Sequence, residues 1–398
     1  MKAPALPVSL TRPPLALSVS GFVSSFDRFA VSPMLVLIAA DLDVSLSAAV
    51  AAASGYYLAY GLTQPLWGLL SDRFGRVRVM RWALYGAALA GAVSALMPVL
   101  WALVVARVVT GACFGAVIPT GLTYVGDTVQ PSVRQRALTD LMAAAALGTA
   151  LATGLSGVVA GLVDWRVAFT VPAACALACA LSLRTLPEPP RHEHAASGVL
   201  SHLGRVLGQR WALLVFALAF TEGAIMLGVM PFLAPALQHT GLAAAVAGLS
   251  ITAYGLGLWG FAKLVKRLSG TWPAPLLMVV GGAQLCAGFA IVTVHVSVPA
   301  VAVTALLLGG GWSFLHSSLQ TWATSVVPEA RGTTIAFFAC ALFVGSAAAS
   351  WAAGPLAQDG RYGLLFGLAA GAAIPLTAVA ALTRRRYGAL RAEPPRPE

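Results

Sequence analysis

What constrains this chain most is how often its apolar stretches reach twenty residues. WALYGAALAGAVSALMPVL at 82–100 and APLLMVVGGAQLCAGFAIVTV at 274–294 are two of many. A helix of about 20 apolar residues crosses a hydrocarbon layer about 30 Å thick. A water-soluble chain would carry about 25% charged residues. Here charged residues make up 10% and hydrophobic residues 59%, and mean hydropathy is +0.83. So little polar surface cannot face water all round, and the chain reads as an integral membrane protein. Its runs are too long and too uniformly apolar for barrel strands, whereas a helix satisfies its own backbone hydrogen bonds in lipid. Twelve spans are expected, at 14–40, 46–70, 78–98, 100–125, 135–160, 166–185, 211–237, 243–265, 274–294, 298–322, 333–357 and 361–382. The first carries Asp27 and Arg28 where a signal peptide's apolar segment would run, so it reads as a span that stays.

The net charge of +11 could suggest nucleic acid, but the positions of the charges exclude that reading. With both termini cytoplasmic, 21 of the 25 Lys and Arg residues fall in cytoplasmic segments; Arg166 and Arg361 lie opposite, and Arg28 and Arg107 lie inside spans. This is the positive-inside bias of an even number of helices. The five cysteines all fall in apolar helices, and none forms a C-x-x-C pair. They read as small buried residues, not metal ligands. An excess of Arg over Lys, 22 to 3, suits a GC-rich bacterial genome.

Residues 186–210, rich in proline and charge, divide the chain into an N-terminal six-helix unit (1–185), a cytoplasmic linker, and a C-terminal six-helix unit with a basic tail (211–398). The halves repeat. AYGL at 59–62 recurs at 253–256, each followed by Trp-Gly (Trp67–Gly68 and Trp259–Gly260), and VQPSVR at 129–134 matches VVPEAR at 326–331. Three matches in one order, offset by about 195 residues, imply two bundles around a pseudo-two-fold axis along the membrane normal.

Between spans 2 and 3 stands GLLSDRFGRVRVMR, five charges in fourteen positions. Arginines alone would be topology signals; Asp72 has no place in that rule. The stretch Gly68-Leu69-Leu70-Ser71-Asp72-Arg73-Phe74-Gly75-Arg76 resembles G-x-L-x-D-R-x-G-R, the hallmark loop of the major facilitator superfamily. With the helix count, long central loop and half-repeat, the resemblance covers nearly the whole chain. It implies an all-α membrane fold of twelve helices in two bundles, and a cytoplasmic gate made by Gly68, Asp72, Arg73, Gly75 and Arg76. It also implies that Asp72 sits beside the N-terminus of helix 11, where Thr333 and Thr334 are candidate caps. The second-half counterpart, GFAKLVKRLSG at 260–270, lacks the acid, so asymmetric gating is expected.

Ionisable residues inside spans cost about 2.5–3.5 kcal/mol on insertion scales and are functional candidates. Asp27 and Arg28 are central in span 1, Arg107 in span 4 and Glu222 in span 7. Neighbours in sequence do not share a helix face, so Asp27 is expected opposite Arg107 instead of beside Arg28. Arg107-x-x-x-Gly111-x-x-x-Gly115 is similar to a helix 4 pattern of proton-coupled family members, which implies proton coupling through Asp27, Arg107 and Glu222. In the family, helices 1, 4, 7 and 10 line the cavity. Trp312, His316 and Gln320, at i, i+4, i+8 on span 10, are expected on one cavity face. Phe26, Arg28, Phe114 and Met226 complete the expected substrate-binding set; aromatic and thioether surfaces suit varied hydrophobic ligands.

The helix 1 and helix 4 sequences most resemble the twelve-helix drug:proton antiporters. On span 5, GTALATGLSGVVAG keeps the small residues for close packing, Gly148, Gly154, Gly157 and Gly161, but has no proline. The expectation is a proton-driven exporter of small amphipathic compounds in a bacterial inner membrane, acting as a monomer with protons, a small-molecule substrate and lipid as its partners. A proton-coupled importer of an organic metabolite is the alternative. A membrane enzyme or redox protein would need paired haem-spaced histidines, an acidic metal cluster, or a nucleophile with its base. Only His316 of six histidines lies deep, and no phosphate-binding glycine loop is present, so no cofactor and no ATP-driven transport are expected.

Overall fold

A computed structural model describes residues 14–189 and 204–392. The N-terminal residues 1–13, the middle of the expected linker (190–203) and the tail 393–398 lie outside the described residues. The chain is helical, and among the described residues there are no strands. The long helices are α1 (Leu15–Asp41), α2 (Ala51–Phe74), α3 (Arg76–Leu96), α4 (Leu100–Thr128), α5 (Pro131–Leu162), α6 (Trp165–Thr185), α7 (Arg210–His239), α8 (Ala244–Leu268), α9 (Ala274–Val294), α10 (Val298–Val326), α11 (Pro328–Gln358) and α12 (Tyr362–Leu390). Eleven of them, all but α2, are long and apolar enough to cross a membrane. At 24 residues α2 has the length, but Tyr56, Tyr57, Tyr60 and Gln64 lower its hydropathy; all four are buried against other helices. The expected span 46–70 starts later than drawn, because Ser45 caps a separate single turn, Leu46–Ala49, by accepting from the Ala48 amide.

Prolines set the kinks. Pro33 turns α1 into a 3-10 segment at Ser32–Met34, and Pro231 does the same to α7 at Met230–Phe232. A proline removes a backbone donor, which leaves polar groups to be satisfied by neighbours. The two kinks supply each other: Ser32 Oγ donates to the Pro231 carbonyl at 2.6 Å, and Gln238 Nε2 donates to the Pro33 carbonyl at 3.1 Å. In α4 the helix relaxes at Gly115, and the carbonyls there accept from side chains of neighbours. Trp67 Nε1 and Thr63 Oγ1 reach Ala112 O at 2.6 and 3.0 Å, and Ser24 Oγ reaches Phe114 O at 3.2 Å.

The two halves of the chain meet along α5–α8 and α2–α11. On the first seam backbones touch: a Cβ at Gly248 would lie 2.2 Å from the Thr153 carbonyl oxygen, and one at Gly157 2.6 Å from that of Ala244. On the second, Gly61 admits Phe343. Near its end, Gln358 Oε1 accepts from the Ser47 amide at 3.3 Å. These contacts run from mid-depth to the end of the molecule away from the 72–76 loop. Toward the loop end the seam splays. Ala143 and Leu147 continue the contact face of α5 and are exposed, as are Trp259 and Lys263 on α8. The α5–α8 contact is therefore tight from mid-depth to the far end and is lost toward the loop end.

Two expectations need correction. Cys175 is exposed, not buried, because α6 turns it outward, where lipid replaces the core as its apolar surroundings; only Cys179 of the five is buried. Thr333 and Thr334 are not caps: the helix is already under way at Arg331, its cap position is Ala330 with no side-chain bond, and Thr334 Oγ1 bonds back to the Ala330 carbonyl.

Candidate substrate and proton site

At mid-depth α1 and α4 cross, and Asp27 and Arg107 meet. Nη2 of Arg107 lies 2.9 Å from Oδ2 of Asp27 and Nη1 lies 3.1 Å from Oδ1, while Nη2 also reaches the Asp27 carbonyl at 3.3 Å. Both side chains are at most 1% exposed. The guanidinium lies between the rings of Tyr56 and Phe169, each centroid 4.6 Å away. Gly111 and Gly115 make this possible, because any Cβ there would strike the backbone of Tyr56 or Tyr60 and push α2 off α4. Two parallel charge-assisted bonds fix the geometry of such a pair and offset much of its desolvation.

The second half holds a counterpart. Glu222 on α7 bonds through Oε2 to Nδ1 of His316 on α10 at 3.0 Å, and both are buried. The Trp312 ring stacks on the imidazole with centroids 3.7 Å apart. Glu222 Oε1 is buried with no hydrogen-bond partner. Asp27 and Glu222 are 195 positions apart, the offset of the internal repeat. Each half thus presents an acid on its first helix against a nitrogen base on its fourth. The bases differ in kind, a guanidinium in the first half and an imidazole in the second.

Arg28 points elsewhere, as its neighbouring helix position requires. Its guanidinium lies 4.9 Å from the Phe29 ring, 5.1 Å from Tyr60 and 5.3 Å from Phe343. Of the other expected binding residues, Phe26 stacks on Phe22, while Phe114 and Met226 are wholly buried in helix packing. Gln320 does not share a packed face with Trp312 and His316. Residues Trp312–His316 form a π-helical turn in which the Ser317 amide bonds to the Trp312 carbonyl, and Gln320 is exposed. The extra residue per turn brings i and i+4 nearly over one another, which is why Trp312 stacks on His316, and it shifts everything after it out of register.

At the loop end, Arg76 organises the hallmark loop. It pairs with Asp72, reaches Asp127 Oδ2 at 3.2 Å and Ser71 Oγ at 2.8 Å. Gly75 has φ +103°, ψ 149°, backbone that is essentially glycine's own. Directly over it stands Glu188, whose carboxylate accepts from the amides of Val77 and Arg78, both at 3.1 Å, at the N-terminus of α3. Gly68 by contrast faces open space, and Arg73 rests on the Phe74 ring. Sequence reasoning missed Glu188, Asp127 and the rings of Tyr56, Tyr60 and Phe343. The tyrosines carried a signal, since they recur every four residues on the one span rich in hydroxyls; Glu188 carried none.

The family model of the Major Facilitator Superfamily matches residues 17–350. A triacylglyceride transporter of Mycolicibacterium smegmatis is 31% identical over 134 residues, 33% of this chain and 24% of the relative. The multidrug export protein EmrB of Haemophilus influenzae is 29% identical over 124 residues, 31% of this chain and 24% of the relative. The matched part spans about a quarter of those relatives' length. Among solved structures, a bacterial homolog of the human lysosomal transporter Spinster, inward-facing and unoccupied, has TM-score 0.76 at 16% identity, covering 93% of this chain and 96% of that one. The nucleoside transporter NupG gives 0.73 at 13% identity (94% and 99%), and the E. coli xylose transporter XylE 0.72 at 15% (94% and 96%). At such identities the likeness is one of fold. The chain belongs to the major facilitator superfamily.

Proposed function

We propose that the protein is a proton-driven exporter of small amphipathic compounds that works by alternating access. In this reading α2 crosses the membrane as the twelfth span, and the six helices on each side of the linker form two bundles related by a pseudo-two-fold axis. Both termini face the cytoplasm of a bacterial inner membrane, and a monomer suffices. With that orientation the splayed seam opens inward and the kink-to-kink hydrogen bonds close the outer side.

The observation that carries the reading is the buried Asp27–Arg107 pair at the crossing of α1 and α4. Protonating Asp27 cancels the attraction that holds the pair, and removing one partner of a buried ion pair costs about 3–5 kcal/mol. A proton is therefore a switch that supplies most, not all, of the about 5.5 kcal/mol that a full reversal of two bundle arrangements takes. Glu222 with His316 provides a second place for a proton in the other half, and the Asp72–Arg76–Asp127 cluster steadies the cytoplasmic end while the bundles move. The partial matches to a multidrug export protein and to triacylglyceride transporters favour amphipathic cargo.

The test is the purified chain in liposomes under an imposed pH gradient, with amphipathic dyes as cargo. Asp27→Asn is expected to abolish gradient-driven accumulation and to keep downhill exchange. Full uphill transport by that variant would refute the assignment, and accumulation in the opposite sense would establish the importer.

A further inference from the structure

Five ionisable side chains stand at mid-depth, and they do not all pair. Asp27 is taken by Arg107 and Glu222 by His316. Arg28 remains. No described carboxylate lies within ion-pair distance of it, and it makes no hydrogen bond to any described residue; its Nε is buried without a partner. What surrounds it is three aromatic rings, Phe29 on α1, Tyr60 on α2 and Phe343 on α11, so that both halves of the chain contribute. Ring faces attract a guanidinium, but they take none of its five in-plane N–H donors. An arginine kept at this depth without an acceptor is costly, since intramembrane cations pair or line a path for a ligand. The side chain is only partly buried while the rings of Tyr60 and Phe343 are buried, and of its nitrogens only Nε is closed off, which leaves the Nη donors accessible.

We infer that Arg28 is the anchor of an anion subsite: it binds the carboxylate, sulfonate or phosphate of an amphipathic substrate whose apolar body lies on the neighbouring rings. The inference rests on the export reading for the word substrate, and it narrows that reading to anionic amphiphiles. The guanidinium offers two parallel donors to an oxyacid group, the geometry in which arginine binds such groups best. Because the aromatic box is built from α1, α2 and α11, a ligand held there touches both halves, and its affinity changes as they move. An anionic group in a bilayer has two sources, a transported amphiphile or a lipid headgroup, and the two are separable.

The experiment uses the full chain in nanodiscs of zwitterionic phosphatidylcholine and measures binding of two probes with the same body, pyrenebutyrate and the uncharged pyrenebutanol. The expected result is that the carboxylate binds about tenfold or more tighter than the alcohol, the scale of a charge-assisted bond pair. In Arg28→Gln that preference disappears while the alcohol binds within about twofold of before; Arg28→Lys keeps part of it. Equal binding of both probes by the natural chain, or an undiminished preference in Arg28→Gln, overturns the proposal. If Arg28→Gln fails to fold, Arg28→Lys with Phe343→Leu carries the test: the first must lower only the carboxylate's affinity and the second must lower both. Repeating the measurement with phosphatidylglycerol in the disc assigns the source, because competition by that lipid identifies a headgroup in the subsite and its absence identifies a soluble amphiphile. Charge preference that persists when Asp27→Asn shows no effect on transport would sustain the anion site while the proton-driven reading fell. Loss of charge preference with intact proton coupling would do the reverse.

Discussion

Replacing Gly75 by alanine isolates the one place where loop, helix and linker depend on a single missing atom. At φ +103° and ψ 149° an L side chain is strained by about 1–3 kcal/mol. The new Cβ would stand 2.6 Å from the Glu188 carboxylate, closer than any such contact allows. The carboxylate must leave, and with it go both bonds to the Val77 and Arg78 amides. Losing a cap of that kind costs about 0.5–2 kcal/mol. Together the change removes about 1.5–5 kcal/mol from the first turn of α3, which lowers hydrogen-exchange protection there by about 10- to 1,000-fold or more. Glu188→Ala alone loses only the cap, about 0.5–2 kcal/mol. The two effects share that cap, so adding Glu188→Ala to Gly75→Ala changes protection little further. The assay is amide exchange of Val77, Arg78 and Val79 in nanodiscs for the two single variants and the double. Unchanged protection in Gly75→Ala, or strictly additive losses in the double variant, would refute the reasoning.

Other expectations follow from the same geometry. Asp27→Asn or Arg107→Gln alone should each cost about 3–5 kcal/mol of local stability, and the double variant much less than the sum, a coupling that unfolding of each in detergent measures. An anion leaving against one entering proton carries two charges in one direction, worth about 4.6 kcal/mol per 100 mV. Export of an anionic probe should therefore accelerate under an inside-negative potassium diffusion potential, and indifference to potential would contradict that exchange. Gly248→Leu drives a side chain into the Thr153 carbonyl and should keep the far end from closing. Cysteine substituted for Ser32, buried in this structure, should then react several-fold faster with a membrane-impermeant maleimide.

The membrane-spanning plan was legible because lipid leaves the chain few choices: apolar runs become helices, and Asp27, Arg107 and Glu222 stand out against them. Where a residue's partner is remote, the sequence is silent. Glu188 finds the amides of Val77 and Arg78 110 or so positions away, and no local pattern announces it. Spacing arguments assume α-helical periodicity, and the π turn at Trp312–His316 breaks it, so that Gln320 is exposed while His316 is buried. Threonine favours cap positions, but α11 begins as a 3-10 turn at Pro328–Ala330 and is α-helical from Arg331, ahead of Thr333 and Thr334. Cys175 was assigned inward by a rule made for water, where apolar means hidden; in a bilayer the outer face is apolar as well.

The glycine seam between α5 and α8 has a mechanical consequence. Where two helices meet backbone to backbone, no knobs must be drawn from holes before one surface glides over the other, so the joint behaves as a plain bearing. Resistance to opening then falls largely on the polar ties across the closed end, Ser32 to Pro231, Gln238 to Pro33 and Ser47 to Gln358. At about 0.5–1.5 kcal/mol each, three such ties hold the door with about 1.5–4.5 kcal/mol. That latch is firm enough to stay shut in thermal noise and weak enough for a single change of buried charge to release.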